Sequence, residues 1–469
     1  MLLSLALLFL PFVYACLYSL WKRQRINNIF VIVILLIIFA GIYTTTQGSR
    51  FFILFLPFLG VFLAIGLVHL SKALAEHTAK IINVHDKIIY NILLIGCIIL
   101  FLLPLPSVFA SLSLTDTDMN DQWYDTLNKI DNEASPDAII NSWWDFGHWF
   151  AYYGNRRVTF DGAGQDRHMA YWIGRSLYTN DEKHAAGILR MVDCGNNNAF
   201  WKLDSYINNT ITSIDILNEI VVMNREKAKM YLTNYITPEQ AEQVLEYSHC
   251  EPPENYYITS GDMIGKSGAW SHFGAWNFRK SNLVFLATQD KKDEAISFMI
   301  EEYGYDRNKA EDEYRKIKAL GTGAEELISE SRSYGNQITE CLGVKNDTLT
   351  CPYLIFNIKT EEGIIPDVDG DKYPLRFAFI NKNGEFEVKE YNKNLAKNLV
   401  GKDIGVVLFE RDGKYYTEIM HPELVDSMFT RLHFFEGGAV SCFKLFNHEI
   451  QPNKDKSIYT WKINWSCLG

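Results

Sequence analysis

A chain of 469 residues with 56 acidic against 45 basic side chains, a net charge of −11, offers no basic excess for binding nucleic acid. Its length leaves room for a membrane part and two or three globular units. The near-neutral mean hydropathy averages two unlike regions: residues 1–110 are dominated by Leu, Ile, Phe and Val, and the remainder has the composition of a soluble acidic protein.

Four apolar stretches, 2–20, 29–47, 51–70 and 88–110, reach or approach the ~20 residues needed to cross the hydrocarbon core. The first lacks a basic leader, and Trp21-Lys22-Arg23 stands where a cleavage site of small residues belongs, so it reads as a retained helix. Lys22, Arg23 and Arg25 fill the first connection and Lys72, Lys80 and Lys87 the third, which puts both on the cytoplasmic side. The connection from Thr44 to Arg50 then lies outside, as does everything after Ser111. The N-terminus also comes out extracytoplasmic, so the chain reads as one that begins inside a longer membrane protein.

Beyond the membrane part, Thr115 to Asn132 is polar and leads into a helix, with Asp116 and Asp118 as a solvated or capping pair. Ala138-Ile139-Ile140-Asn141-Ser142 reads as a short buried strand running into a turn at Trp143-Trp144-Asp145-Phe146-Gly147. Residues 148–250 are mostly helical, with amphipathic stretches at 181–191 and 238–247, the latter with Pro238 at a helix start. Asp306–Leu320 has the mixed charges of a solvated helix face. After Cys351 come short β-rich runs at 353–358, 375–380, 386–391, 404–411 and 415–419, separated by turns at Asn381–Gly384 and Asp412-Gly413. Asp426–Gly437 reads as helical. Six cysteines lie outside the membrane part, and an even number in an oxidising compartment suggests disulfides. Of the fifteen connectivities, nearest-neighbour pairing (194–250, 341–351, 442–467) is the one expected; no CxxC pair marks a zinc site.

The turn Trp143–Gly147 concentrates two indole N–H donors, aromatic area and one carboxylate, a combination suited to gripping a hydroxyl in a partly dry pocket. Elsewhere such a cluster is more often a core corner with a capping aspartate. Here it resembles the WWDYG signature of the oligosaccharyltransferase catalytic subunit family, with Phe146 in place of tyrosine. Asp161-Gly162-Ala163-Gly164-Gln165, Asp193-Cys194-Gly195, His249-Cys250, Thr259–Trp276 and Asp426–Leu432 are similar to the archaeal branch, and the resemblance spans nearly the whole chain.

The resemblance implies a membrane α-helical segment of four transmembrane helices, like a C-type glycosyltransferase, followed by a mixed α/β extracytoplasmic domain with a mainly helical core and a small antiparallel β unit. The corresponding boundaries are 1–112, 113–350 and 351–469. It implies transfer of a glycan from a lipid-linked (dolichyl) phosphate or diphosphate to Asn in Asn-X-Ser/Thr, so the partners are the lipid-linked oligosaccharide, an acceptor polypeptide and the membrane. Trp143, Trp144 and Asp145 would bind the acceptor hydroxyl. Met263 and Lys266 are expected to face Trp144, with Asp262 as the less regular member of a short helical motif; Asp262 and Lys266 equally suit a plain i,i+4 ion pair. Arg50, at the outer end of the third helix, would contact donor phosphate. The family's Mn²⁺ or Mg²⁺ is held by acidic residues preceding this region, and no acidic cluster occurs in residues 1–110, so metal ligands and catalytic carboxylates are expected outside this chain and the chain alone to be inactive. Two alternatives remain: a non-catalytic sequon-binding half acting with a separately encoded N-terminal half, or a related membrane glycosyltransferase without sequon specificity. His148, Asp161, Asp166, Arg167 and His168 carry no assigned chemistry. Asn208, Asn346 and Asn464 stand in acceptor triplets of their own.

Overall fold

The structure is a computed structural model that describes residues 36–44 (except 38 and 42), 53, 56–113, 119–163, 167–335, 337–366, 372–391, 403–450 and 457–469. It divides into two compact units, Met1–Asp118 and Met119–Gly469.

In the first unit, the expected span 2–20 lies outside the described residues and 29–47 is described only at scattered helical positions. The expected span 51–70 is replaced by a longer helix, Leu56–Ile82, the one helix among the described residues long and apolar enough to cross a membrane. Its 27 residues extend about 40 Å at a 1.5 Å rise, which exceeds a hydrocarbon core of about 30 Å. Lys72 and Lys80 therefore sit on this helix and not in a connection. The expected span 88–110 is two helices, Asp86–Leu102 and Leu105–Ser113. Pro104 lies between them, and a residue without an N–H interrupts the ladder there. Ile88, Ile92, Ile95 and Ile99 form an exposed apolar stripe on the first of the two.

The second unit is built around a five-stranded sheet whose strands come from distant parts of the sequence: β1 (Ile139–Asn141), β2 (Arg157–Val158), β3 (Asn255–Ser260), β13 (Phe443–Glu449) and β14 (Ile458–Ile463), in the order β13-β14-β3-β1-β2. β1 runs parallel to both β2 and β3, whereas β14 is antiparallel to β3 and β13 to β14. All six residues of β3 are buried, because both faces of the sheet are covered. Tyr256 and Ile258 point to one face, where helix Asp121–Glu133 and helix Gly147–Tyr153 supply Trp123, Leu127, Ile130 and Phe150. Tyr257 points to the other, into the main core.

That main core is roofed by the helical array expected from the sequence. Helix Glu182–Gly195 starts at Asp181, whose carboxylate accepts from the Lys183 and His184 N–H groups. Helix Pro238–Ser248 carries a full capping box between Thr237 and Gln240, and Asp306 caps helix Arg307–Leu320. Phe278–Thr288, Lys292–Tyr303 and Arg307–Leu320 enclose a second, smaller core. The three disulfides are Cys194–Cys250, Cys341–Cys351 and Cys442–Cys467, the nearest-neighbour set.

The β-rich region forms two further sheets. One joins β4 (Thr339–Glu340), β9 (Arg376–Ile380), β10 (Phe386–Glu390), β11 (Gly405–Arg411) and β12 (Lys414–Met420) in the order β10-β9-β11-β12-β4. The other is β5 (Gly343–Lys345), β6 (Thr348–Cys351), β7 (Leu354–Asn357) and β8 (Glu362–Ile364). The expectation of a purely antiparallel unit needs correction: β9 and β11 are parallel, because the chain after β10 re-enters the sheet on the far side of β9. The hairpins are as expected, with Asp412 and Gly413 both at positive φ between β11 and β12. Phe377, Phe379, Val406 and Leu408 face the four-stranded sheet. Their alternates Ala378, Val407 and Phe409 join the main core beside helix Met428–His433.

Candidate acceptor-binding site

The site is built at the carboxyl ends of two adjacent parallel strands, the place where open α/β sheets bind ligands. β1 leads through Ser142 and an extended Trp143 into a 3-10 turn, Trp144–Phe146, and then helix Gly147–Tyr153. β3 leads through Gly261 into a short helical turn, Asp262–Gly265, followed by helix Ser267–Gly274. Ser142 pins the two arms together, donating from Oγ to the Ile258 carbonyl at 2.9 Å.

The side chains of the motif part company. Trp143 is buried in the main core, its ring edge-on to Phe160 at 5.4 Å. Phe146 turns to the opposite face, stacked on Trp149 at 4.3 Å and edge-on to Trp123 at 5.1 Å. Trp144 and Asp145, half-buried, remain at the mouth between them. Gly147 allows this divergence: a Cβ there would lie 2.6 Å from the Asp161 Cβ and 2.9 Å from the Phe160 carbonyl oxygen, so only glycine lets the turn pass the Asp161 loop. In that loop the Asp161 carboxylate accepts from the Ala163 N–H at 2.9 Å, and His148 lies 4.0 Å from it at a largely exposed position.

Asp145 meets the second arm. Its Oδ1 is 3.1 Å from the Lys266 ammonium, which also donates to Asp262 Oδ2 at 2.9 Å. Asp262 Oδ1 in turn accepts from Ser260 Oγ at 2.5 Å. The ammonium also sits 4.6 Å above the Phe146 ring. Burial disfavours the charged lysine, yet Asp262 and Asp145 more than offset this, and its pKa is raised. Asp145 Oδ2 is buried without a hydrogen-bond partner among the described residues. A desolvated carboxylate oxygen held in place by an ion pair through its twin is a strong acceptor awaiting a donor.

Asp145, Asp262 and Lys266 are thus brought together, with Trp144 beside Asp145 in sequence. Met263 is buried, its sulfur 3.7 Å from Ser142 Oγ and its carbonyl accepting from Trp270 Nε1 at 2.9 Å. Arg50 lies outside the described residues. Among the described residues no group of three or more His, Cys, Asp or Glu could hold a metal ion.

The fold is a mixed α/β sheet with a buried, unpartnered carboxylate oxygen at its parallel strand ends, and residues 136–280, which hold both arms, match the family model described as the STT3/PglB/AglB core domain. The chain is 29% identical over 369 residues to the dolichyl-phosphooligosaccharide-protein glycotransferase of Methanocaldococcus jannaschii, an alignment covering 76% of this chain and 35% of that protein. It is 27% identical over 404 residues to the protein of the same name from Methanococcus voltae, covering 81% and 40% respectively. A second-numbered glycotransferase of that name from Pyrococcus horikoshii is 25% identical over 160 residues, 33% of this chain and 19% of that one. The chain thus spans well under half the length of these relatives.

Proposed function

We propose that this chain carries the acceptor-reading part of a dolichyl-phosphooligosaccharide-protein glycotransferase, which moves a glycan from a lipid-linked phosphate or diphosphate onto Asn in Asn-X-Ser/Thr. The observation that carries the reading is Asp145 Oδ2, buried and unpartnered at the end of β1 while Lys266 holds Oδ1. The hydroxyl two residues beyond the acceptor Asn donates to Oδ2, and a peptide lacking it leaves that oxygen stranded. Trp144 walls the mouth. Trp143 and Met263 act from the core, fixing the two arms, and Asp262 holds Lys266. Lys266, on its flexible stem, is the group able to shift as the peptide enters.

The domain faces the extracytoplasmic side of a membrane crossed by several helices, and Arg50 meets the donor's phosphates. In this reading Mn²⁺ or Mg²⁺ would be held by carboxylates outside this chain, and would supply Lewis-acid stabilisation of the leaving phosphate. The catalytic part acts in the same or a separately encoded polypeptide.

The test is binding of two peptides, one with Asn-Ala-Thr and one with Asn-Ala-Val, to the full chain in detergent. A hydrogen bond to a buried carboxylate predicts roughly 10–100-fold preference for the threonine peptide, abolished in Asp145→Ala. Equal affinities for the two peptides refute the reading.

A further inference from the structure

Beneath the site lies a polar cluster that takes no direct part in hydroxyl binding. Asp193, near the end of helix Glu182–Gly195, is buried against the sheet, where it bridges the carboxyl end of β1 to the amino end of β3. Its Oδ1 accepts from Asn141 Nδ2 at 2.6 Å, and its Oδ2 accepts from Asn255 Nδ2. Asn141 is the last residue of β1, two positions before Trp143, and Asn255 is the first of β3. Both amides are held in one orientation. Asn141 Oδ1 accepts from Thr159 Oγ1, so its amide is bracketed from both sides. Asn255 Oδ1 is buried without a partner, which leaves the Asp193 carboxylate as the group that fixes that side chain. The next residue, Cys194, is bonded to Cys250, which anchors the helix end to the chain just ahead of β3.

Burying a carboxylate is costly, and the hydrogen-bond partners of this one are two neutral amides, with Arg157 acting on it only as a minor charge. Burial holds its pKa up at about 7, with Asn255 and Asn141 opposing. A group retained at such a cost, bridging two segments that must meet in register, serves geometry.

We propose that Asp193 is a positioning residue for acceptor recognition: by tying the Asn141 and Asn255 side chains it sets β1 against β3, and so sets Trp144-Asp145 against Asp262–Lys266. This rests on the acceptor-reading function proposed above. One carboxylate governs both arms because each of its oxygens serves one strand, and the pairing of Asn141 with Tyr257 is the last rung before the strands diverge into the site.

The experiment measures the Thr/Val peptide affinity ratio and the melting midpoint for the full chain, for Asp193→Asn and Asn255→Ala, and for Leu203→Ala. Leu203 is a fully buried core residue of helix Asn198–Ile207 and not a member of the cluster, and serves as the control for simple destabilisation. The expected result is a roughly tenfold fall in the ratio for Asp193→Asn, through weaker binding of the threonine peptide alone, since a misplaced Asp145 loses most of one charge-assisted hydrogen bond. Asn255→Ala, which cuts the tie to β3 only, shows the same fall and provides the answer if Asp193→Asn does not fold. Leu203→Ala lowers the midpoint and leaves the ratio unchanged. A wild-type preference that persists undiminished in the folded cluster variants overturns the role of Asp193 alone. A wild-type ratio of one overturns the acceptor-reading function and this inference with it.

Discussion

Replacing Lys266 by methionine keeps the stem and removes the charge that joins the two arms. Two carboxylates that shared one ammonium, at 3.1 Å and 2.9 Å, are then left facing each other. Deleting one partner of a fully buried pair costs about 3–5 kcal/mol. Here the Lys266, Asp145 and Asp262 side chains keep 32%, 24% and 18% of their accessibility, so screening brings the expected loss to about 2 kcal/mol at pH 7. In a unit of this size that is a fall of roughly 3 °C in the melting midpoint. Binding of the threonine peptide weakens roughly tenfold, because Asp145 loses the contact that orients it. Lys266→Arg restores most of the stability at pH 7. Thermal melts and peptide titrations between pH 5 and 8 check this. A Lys266→Met chain that matches wild type in midpoint and affinity throughout that range would show that the ion pairs do not organise the site.

Gly147→Ala drives a methyl carbon into the Asp161 backbone at 2.7 Å, which costs about 2–3 kcal/mol and erases the threonine preference; Gly265→Ala, with nothing within 4 Å of its new Cβ, leaves the midpoint near wild type. Paired melts of the two variants check the contrast. Acid also destabilises the fold. Burial, with Arg175 and Arg190 respectively adding to it, depresses His184 to about 4 and His249 to about 3, so the unfolded chain binds more protons below pH 6.5 and stability falls as the pH drops from there towards 4. Asp193, raised by burial to about 7, acts in the opposite sense and regains stability over the same interval. The net loss between pH 7 and pH 4 is roughly 3 kcal/mol, read from denaturant midpoints; a flat profile contradicts the burial of these histidines.

The strand before the tryptophans, the capped helices and the β hairpins were legible because each is local: a proline at a first turn, an Asp-Gly between alternating runs, a polar residue at a helix start. The cysteine pairing followed neighbours in sequence. The central sheet was not legible. Asn255–Ser260 is buried on both faces and shows no alternation, and its partners lie in residues 139–141 and 458–463, which no periodicity connects. Parallel pairing of β9 with β11 was hidden for the same reason, since register is set by a re-entry that the sequence of each strand does not record. Within the site, Asp145 and its aromatic neighbours stood out as a motif. Asn141 was seen only as the end of a strand and Asp193 only within Asp193-Cys194-Gly195, with no role for either, although a polar residue closing an apolar strand, and an acid directly before a disulfide cysteine, are signals that something buried must satisfy them.

Ser142 and Met263 touch across a separation of 121 residues, and this has a consequence for how the protein comes into being. The site cannot form as its signature motif is made; it must wait for the whole helical layer and for β3, so closure of a very long loop precedes its assembly. Even then β3 is an open edge until β14, near the chain's last residues, pairs with it. The site is therefore completed late in synthesis, and a chain cut short before residue 458 would expose a sticky strand where the longer one has a sheet interior.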